Sequence, residues 1–108
     1  MSAVENKYKT SEIINYLNQK ENMPIIINKP SFGSMELARL LSENVNEEDI
    51  IDFVGVCTGI CVISNVLLAK AAIPETKVRV IENACACVTK ESHRTAIEAM
   101  KMCQVEIV

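Results

Sequence analysis

The feature that most restricts the fold of this 108-residue chain is a regular alternation of segments with helix and strand patterns. Apolar, β-branched runs predict strands at 25–27, 50–56, 77–82 and 105–108, and helical patterns occur at 10–22, 34–43, 61–72 and 89–102. Such alternation is typical of right-handed helical crossovers, which build a parallel sheet covered by helices on both faces. We therefore predict one α/β domain over 1–108 with three layers, α/β/α: an N-terminal helix region at 1–22 and a lysine- and cysteine-bearing part at 23–108.

Composition and charge exclude several classes of protein. Hydrophobic residues make up 49% of the chain, which is too many for a disordered tail. The net charge of −3 argues against nucleic-acid binding, which normally requires a basic surface. No apolar run is long enough for a membrane span, and the polar start MSAVENKYKT does not have the pattern of a signal peptide. We expect a cytoplasmic protein without nucleic-acid or membrane partners.

The predicted strands place chemically useful residues at one edge of the sheet. In open parallel sheets, ligands bind outside the carboxyl ends of the strands. Lys29 follows the first predicted strand, the 57–61 turn follows the second, and Glu82 and Asn83 follow the third. The three glycines, Gly33, Gly55 and Gly59, all lie in or beside these loops, where they allow tight turns or close approach of a ligand.

Two cysteines, Cys57 and Cys61, lie where the second predicted strand turns into a helix. The start of a helix has free N–H groups and partial positive charge, which stabilise a thiolate or an oxyanion. Lys29 ends a strand on the same edge and could add an ammonium charge beside the sulfur. The residues therefore allow a cysteine nucleophile with a cationic partner, and they equally allow a structural cysteine near an unrelated surface lysine.

The remaining cysteines are Cys85, Cys87 and Cys103. An odd count of five without a secretory signal favours reduced thiols. The pair at 57 and 61 and the pair at 85 and 87 could in principle supply four thiolates to zinc, but the second spacing is tight, and we assign no metal site. The only histidine, His93, is predicted to be a solvated residue of the last helix.

Three segments together resemble the nicotinamidase/isochorismatase superfamily of cysteine hydrolases. The run 54-VGVCTGICVISNVLLAKA-71 is similar to the nucleophile segment of that family, which reads hydrophobic-x-Gly-x-x-Thr-Asp-x-Cys-Val before a helix. Upstream, 29-KPSFGS-34 resembles the segment that contains the catalytic lysine. Downstream, 78-VRVIENACACVTKESHRTAIEAM-100 resembles the next strand and helix.

The resemblance implies a triad of Asp, Lys and Cys that hydrolyses small amides. Cys61 would be the nucleophile and Lys29 the triad lysine, with the backbone N–H groups of Cys57 and Cys61 as an oxyanion hole. The resemblance also implies a cis peptide bond between Val56 and Cys57, and Phe32 is expected to line the substrate pocket. No cofactor is expected, because the residues that bind a divalent metal in nicotinamidases belong to a part of the family absent from this sequence.

Two departures from the family pattern affect this assignment. Gly59 replaces the Asp of Thr-Asp-x-Cys, which removes a side chain able to bond within the turn. The N-terminal half of the family, including the triad Asp, is also missing. Asp49 and Asp52 are the only aspartates, and they begin the strand that ends near Cys57, ~16 Å away when extended. Glu82 is the one acidic residue predicted at the functional edge.

The missing strands lead us to expect a partner. An open apolar edge around 25–27 invites pairing with another strand, from a second copy, from a separately encoded N-terminal half or from the missing remainder of its own gene. We predict an isochorismatase-like cysteine hydrolase of the nicotinamidase type that is inactive alone. The alternative is a catalytically inactive truncated remnant or interaction module.

Overall fold

The structure, a computed structural model, describes residues 24–108. Its elements are α1 (Met35–Asn44), β1 (Ile50–Val56), a π-helical turn (Thr58–Val62), α2 (Ile63–Ala72), β2 (Lys77–Ala86), α3 (Lys90–Met102) and β3 (Glu106–Ile107). The three strands lie in the order β1-β2-β3, and both neighbouring pairs are parallel. The α/β class and the parallel sheet are confirmed, and the helix predicted at 10–22 lies outside the described residues.

Two of the helices begin at polar side chains that bind free backbone N–H groups. At α1, the Ser34 hydroxyl accepts a hydrogen bond of 3.0 Å from the Leu37 N–H. At α3, Thr89 and Ser92 form a reciprocal capping box, and Thr89 is the cap that the sequence predicts. None of the helices within residues 24–108 combines the length and hydropathy needed to cross a membrane.

The described helices pack on one face of the sheet. The crossovers β1–α2–β2 and β2–α3–β3 advance across the sheet in the same direction, so connections of the same hand place α2 and α3 on the same face. α2 contacts both α1 and α3. The core beneath the helices includes Val78 and Val80 of β2, with Val66, Ile97 and Met100 from α2 and α3. The second helical layer of the predicted three-layer arrangement would have to come from outside residues 24–108.

β2 is longer than predicted, and its pairing with β1 is irregular. Phe53 pairs with Val80, but Gly55 pairs with Cys85, so β2 has extra residues opposite the end of β1. Gly55 adopts a φ of 139°, a conformation open to glycine and unfavourable for residues with a side chain. Because β2 continues to Ala86, Glu82 and Asn83 lie within the strand and not after it, which corrects their predicted position.

The segment 25–27 does not form the predicted strand. Ile25 and Ile26 are 71% and 62% exposed, and the sheet of the described residues contains only β1, β2 and β3. β-branched residues favour a strand where a neighbouring strand supplies hydrogen bonds and packing. The pattern therefore indicates that residues 25–27 prefer an extended conformation, but no strand within the described residues pairs with them.

An ion pair joins β1 to β2 on the sheet face opposite the helices. Arg79 donates two hydrogen bonds to Asp52, from Nε to Oδ1 at 2.7 Å and from Nη2 to Oδ2 at 2.9 Å. The hydrogen bonds from Arg79 hold the pKa of Asp52 below its ordinary value. Asp52 is thus engaged within β1, away from the turn that follows the strand, in agreement with its exclusion from the site.

We expect Asp52→Asn to lower stability at neutral pH and to have little effect in acid. A carboxyl group whose pKa is depressed by folding stabilises the protein above its unfolded pKa, and this contribution is lost as pH falls through the folded pKa. The difference in free energy of unfolding between wild type and variant, measured with urea, should therefore shrink below pH ~4. The same pH-dependent difference in an Arg79→Ala background would contradict this account.

We expect Gly55→Ala to destabilise the protein by about 1–3 kcal/mol, because a side chain strains the backbone at positive φ. Gly59→Ala is the matched control, since its Cβ would meet its nearest neighbour, Cys87 Sγ, at 3.4 Å, an ordinary contact distance. Urea unfolding of the two variants provides the measurement. Equal losses at both positions would show that the conformation of Gly55 is not the cause.

Candidate active site

Lys29 and Cys61 meet at the carboxyl edge of the sheet. The ammonium nitrogen of Lys29 lies 3.7 Å from Cys61 Sγ, although the residues are 32 positions apart in the sequence. Cys61 is a buried free thiol, and Lys29 is half-buried. The structure therefore brings the cation and the thiol together as expected, although Lys29 lies in a segment without a strand and not at a strand end.

The two groups line a small cavity of about 190 Å³ beside the edge strand β1. Its walls are mainly apolar and are completed by Leu37, Phe53, Val54, Gly55, Val56, Val62 and Asn65. Phe32, which we predicted to line the pocket, has a 62% exposed side chain and is not part of these walls. The aromatic side chain at the cavity is Phe53, a core-facing residue of β1 that the motif comparison does not indicate.

The turn that carries Cys61 is π-helical, and α2 begins only after it. The Val62 N–H donates to the Cys57 carbonyl at 3.1 Å, which closes the wide ring of a π-turn. This differs from the predicted position of Cys61 at the start of an α-helix. The peptide bond between Val56 and Cys57 is cis, as the family resemblance implies.

Asn65 connects the lysine-bearing segment to the cysteine-bearing turn. Its side-chain amide donates to the Cys61 carbonyl at 2.9 Å and to the Phe32 carbonyl at 3.0 Å. Its carbonyl oxygen accepts from the Ser34 N–H at 2.8 Å. Sequence reasoning missed this residue, because an asparagine within a helix has no signal that identifies its partners in a distant loop.

A second series of hydrogen bonds supports the turn from the side of α3. Thr58 Oγ1 lies 2.8 Å from His93 Nδ1, and His93 Nε2 lies 3.2 Å from a carboxylate oxygen of Glu82. A carboxylate only accepts, so in the neutral imidazole Nε2 carries the proton and Nδ1 accepts from the Thr58 hydroxyl. The His93 side chain is 17% exposed, which corrects its prediction as a solvated residue.

The same series of hydrogen bonds, from Thr58 through His93, fixes the position of Glu82, the acidic candidate at this edge. Its carboxylate binds His93 and also lies 3.7 Å from Arg94 Nη2. Glu82 therefore supports the Thr58 side of the turn, and it makes no hydrogen bond or ion pair to Lys29 or Cys61 in the described structure. The described residues place no carboxylate against the thiol.

A disulfide joins Cys57 of the turn to Cys87, the residue after β2. The Gly59 N–H donates to Cys87 Sγ at 3.4 Å, so the turn packs closely on this sulfur. The prediction that all cysteines are reduced is therefore wrong for this pair. It failed because the register of β1 and β2, and not sequence spacing, brings together two cysteines that are 30 residues apart.

The other three cysteines, Cys61, Cys85 and Cys103, are free thiols. Burial raises the pKa of the Cys85 thiol. Cys103 is exposed. Within residues 24–108, no cluster of three or more His, Cys, Asp or Glu side chains is arranged to hold a metal ion. Two of the four sulfurs considered for zinc are instead bonded to each other.

We expect His93→Ala to destabilise the protein by about 1–3 kcal/mol, because it leaves the fully buried Thr58 hydroxyl without its partner. Arg94→Ala is the control on the same helix, since its exposed ion pair with Glu82 is worth at most about 1 kcal/mol. Urea unfolding measures both losses. Thr58→Val should recover part of the loss in the His93→Ala background, and a further additive loss would contradict the assignment.

Comparison with solved structures shows where this fold occurs. Nicotinamidase SaPncA from Staphylococcus aureus superposes with a TM-score of 0.74 at 24% identity, over 94% of this chain and 65% of that chain. Nicotinamidase PncA from Bacillus subtilis gives 0.74 at 20% identity, over 94% and 56%. Pyrazinamidase of Pyrococcus horikoshii, solved in complex with zinc, gives 0.63 at 23% identity, over 81% and 53%. The chain thus spans about half to two thirds of these proteins.

Sequence comparison agrees with the structural likeness. No curated protein is a significant match to this chain. The Isochorismatase domain family, however, matches residues 2–108, which is almost the whole sequence. The chain therefore belongs to the isochorismatase family.

Proposed function

We propose that this chain is the nucleophile-bearing part of a cysteine hydrolase that cleaves small amides of the nicotinamide type. The observation that carries the proposal is the 3.7 Å contact between the Lys29 ammonium and the buried Cys61 sulfur in a small cavity at the carboxyl edge of the sheet. The similar structures named nicotinamidases and pyrazinamidase support the substrate class. The apolar wall around Phe53 suits a small aromatic amide.

The geometry supports a two-step reaction. The Cys61 thiol gives its proton to the proton acceptor and its sulfur attacks the amide carbon, while the Lys29 ammonium lies beside the sulfur and the carbonyl oxygen becomes an oxyanion. Backbone N–H groups of Cys57 and Cys61 are the proposed donors to that oxyanion. The C–N bond then breaks as the amine takes up a proton, and water hydrolyses the thioester to free the acid and the thiol.

The reaction also needs a group that moves protons, and the described residues place none beside the sulfur. Asp52 pairs with Arg79, Asp49 accepts from the Asn46 N–H, and Glu82 binds His93. We propose that an Asp from outside the described residues fills this role. The described residues contain no donor set that fits a divalent metal, so no step is derived through one.

An N-terminal family segment from outside these 108 residues suits this role better than a second copy of the chain. A second copy would bring the same two aspartates, Asp49 and Asp52, both on or before β1. β1 forms one edge of the three-stranded sheet, and its exposed Ile50 and Val54 would pack against a neighbouring element. A strand added beside β1 would end near Gly55 and Val56, which line the cavity of Cys61.

We expect hydrolysis of nicotinamide when this chain is co-purified with an N-terminal segment of an isochorismatase-family protein that carries the triad Asp. Release of ammonia measures the reaction. Cys61→Ala should reduce the rate by about 10³-fold or more, because it removes the nucleophile. Cys103→Ala, at an exposed free cysteine, is the matched control and should retain activity. A folded complex that releases no ammonia from nicotinamide would overturn the proposal.

The alternative is a catalytically inactive remnant or interaction module, which is favoured by the lack of a described carboxylate at the thiol. Alkylation of the chain by iodoacetamide at neutral pH separates the two, with each cysteine followed by peptide mass mapping. A poised Cys61 should react faster than the exposed thiol Cys103 and should lose about tenfold in rate in Lys29→Ala, as expected for loss of a charge-assisted contact. The inactive remnant requires a slow Cys61 that is insensitive to Lys29.

A further inference from the structure

The strongest unassigned feature of the site is the set of hydrogen bonds made by Asn65. This side chain is 9% exposed and lies in the first turn of α2, four residues after Cys61. One amide group makes three hydrogen bonds, to the carbonyls of Cys61 and Phe32 and from the Ser34 N–H. The bonds therefore reach both the turn that holds the thiol and the segment that holds Lys29.

The segment that carries Lys29 depends on contacts of this kind for its position. Residues 24–34 contain no helix or strand, so no backbone ladder holds them. Packing against α2 is close at Gly33, where an added Cβ would lie 3.0 Å from Leu68 Cδ1 and 3.5 Å from Ser64 Cβ. The Asn65 amide adds polar bonds on either side of this contact, at Phe32 and Ser34.

We propose that Asn65 is a positioning residue that holds the Lys29 ammonium beside the Cys61 sulfur. It acts through the loop, because its amide group is already bonded to three protein partners. The inference rests on the proposed function, because it concerns the same cysteine–lysine pair.

The chemistry of the three bonds requires a carboxamide. Two of the partners are carbonyl oxygens that need donors, and the third is an N–H that needs an acceptor. Asparagine supplies two donors and one acceptor from a short, planar group. Aspartate has nearly the same size but only accepts when ionised, so it would face the Cys61 and Phe32 carbonyls with negative charge. Leucine fills a similar volume and makes none of the bonds.

A double-mutant cycle on the alkylation rate of Cys61 tests the proposal. Asn65→Leu should slow alkylation by iodoacetamide at neutral pH about tenfold, as Lys29→Ala does, because the ammonium leaves the sulfur. The double variant should react no more slowly than either single variant. The pH profiles of Asn65→Leu and Lys29→Ala should coincide, a result that a purely structural role of Asn65 would not produce.

Asn44→Leu is the matched control. The Asn44 amide donates one exposed hydrogen bond to the Leu40 carbonyl within α1, far from the thiol in sequence. It should leave the alkylation rate of Cys61 unchanged. Asn65→Asp is the second variant, and it should reproduce the slow alkylation of Asn65→Leu with a side chain of native size.

Each outcome of the cycle decides between the claims. The positioning role is overturned if folded Asn65→Leu keeps the wild-type alkylation rate of Cys61, or if the two losses multiply in the double variant. In either case a slow Lys29→Ala leaves the proposed function intact. If Lys29→Ala alone leaves the alkylation rate of Cys61 unchanged, the functional cysteine–lysine pair is overturned, and the proposed function with it. Failure of both Asn65 variants to fold would show a structural role and also overturn the proposal.

Discussion

The turn between β1 and α2 is the constraint on which the rest of the site depends. A parallel strand must reverse its course at this point, and the chain does so through Gly55 at positive φ and a π-helical turn. Side chains outside the turn then hold it: His93 at Thr58 and Cys87 through the disulfide, both distant in the chain, and Asn65 of the following helix at the Cys61 carbonyl. Polar groups buried in a turn need such partners, because an unpaired one is costly.

This arrangement places a buried thiol beside a cation. The sulfur of Cys61 lies in a cavity with an ammonium on one side, so the charge that it would carry as a thiolate has a partner. In the described residues Asp52 pairs with Arg79 and Glu82 pairs with His93, so neither carboxylate is directed at the thiol. Under the proposed function, the Cys61–Lys29 pair would be two members of a triad, and the third would come from outside the described residues.

Much of this could be predicted from local pattern, and the failures have a common origin. The helices α1 and α3, the strand β1 and the cap at Thr89 follow from periodicity and capping patterns. The meeting of Lys29 with Cys61 is expected from the strand-end rule, although the strand before Lys29 does not form. The errors concern contacts between residues that are far apart in the chain, such as the disulfide and the partners of His93. The extra length of β2 arises from its irregular register with β1, and the segment 25–27 lacks a neighbouring strand. Pairing joins residues that are far apart in the chain, so no local pattern reports it.

The sequence by itself determined the alternating α/β architecture, the position of Cys61 after a strand and the resemblance that implies a cis bond at Val56. Only the tertiary structure decided the partners: the disulfide between Cys57 and Cys87, and the polar bonds of His93 and Asn65. The physical reason is that composition and periodicity report which side chains prefer burial. The partner that satisfies each buried polar group is set by how the helices and strands pack in three dimensions.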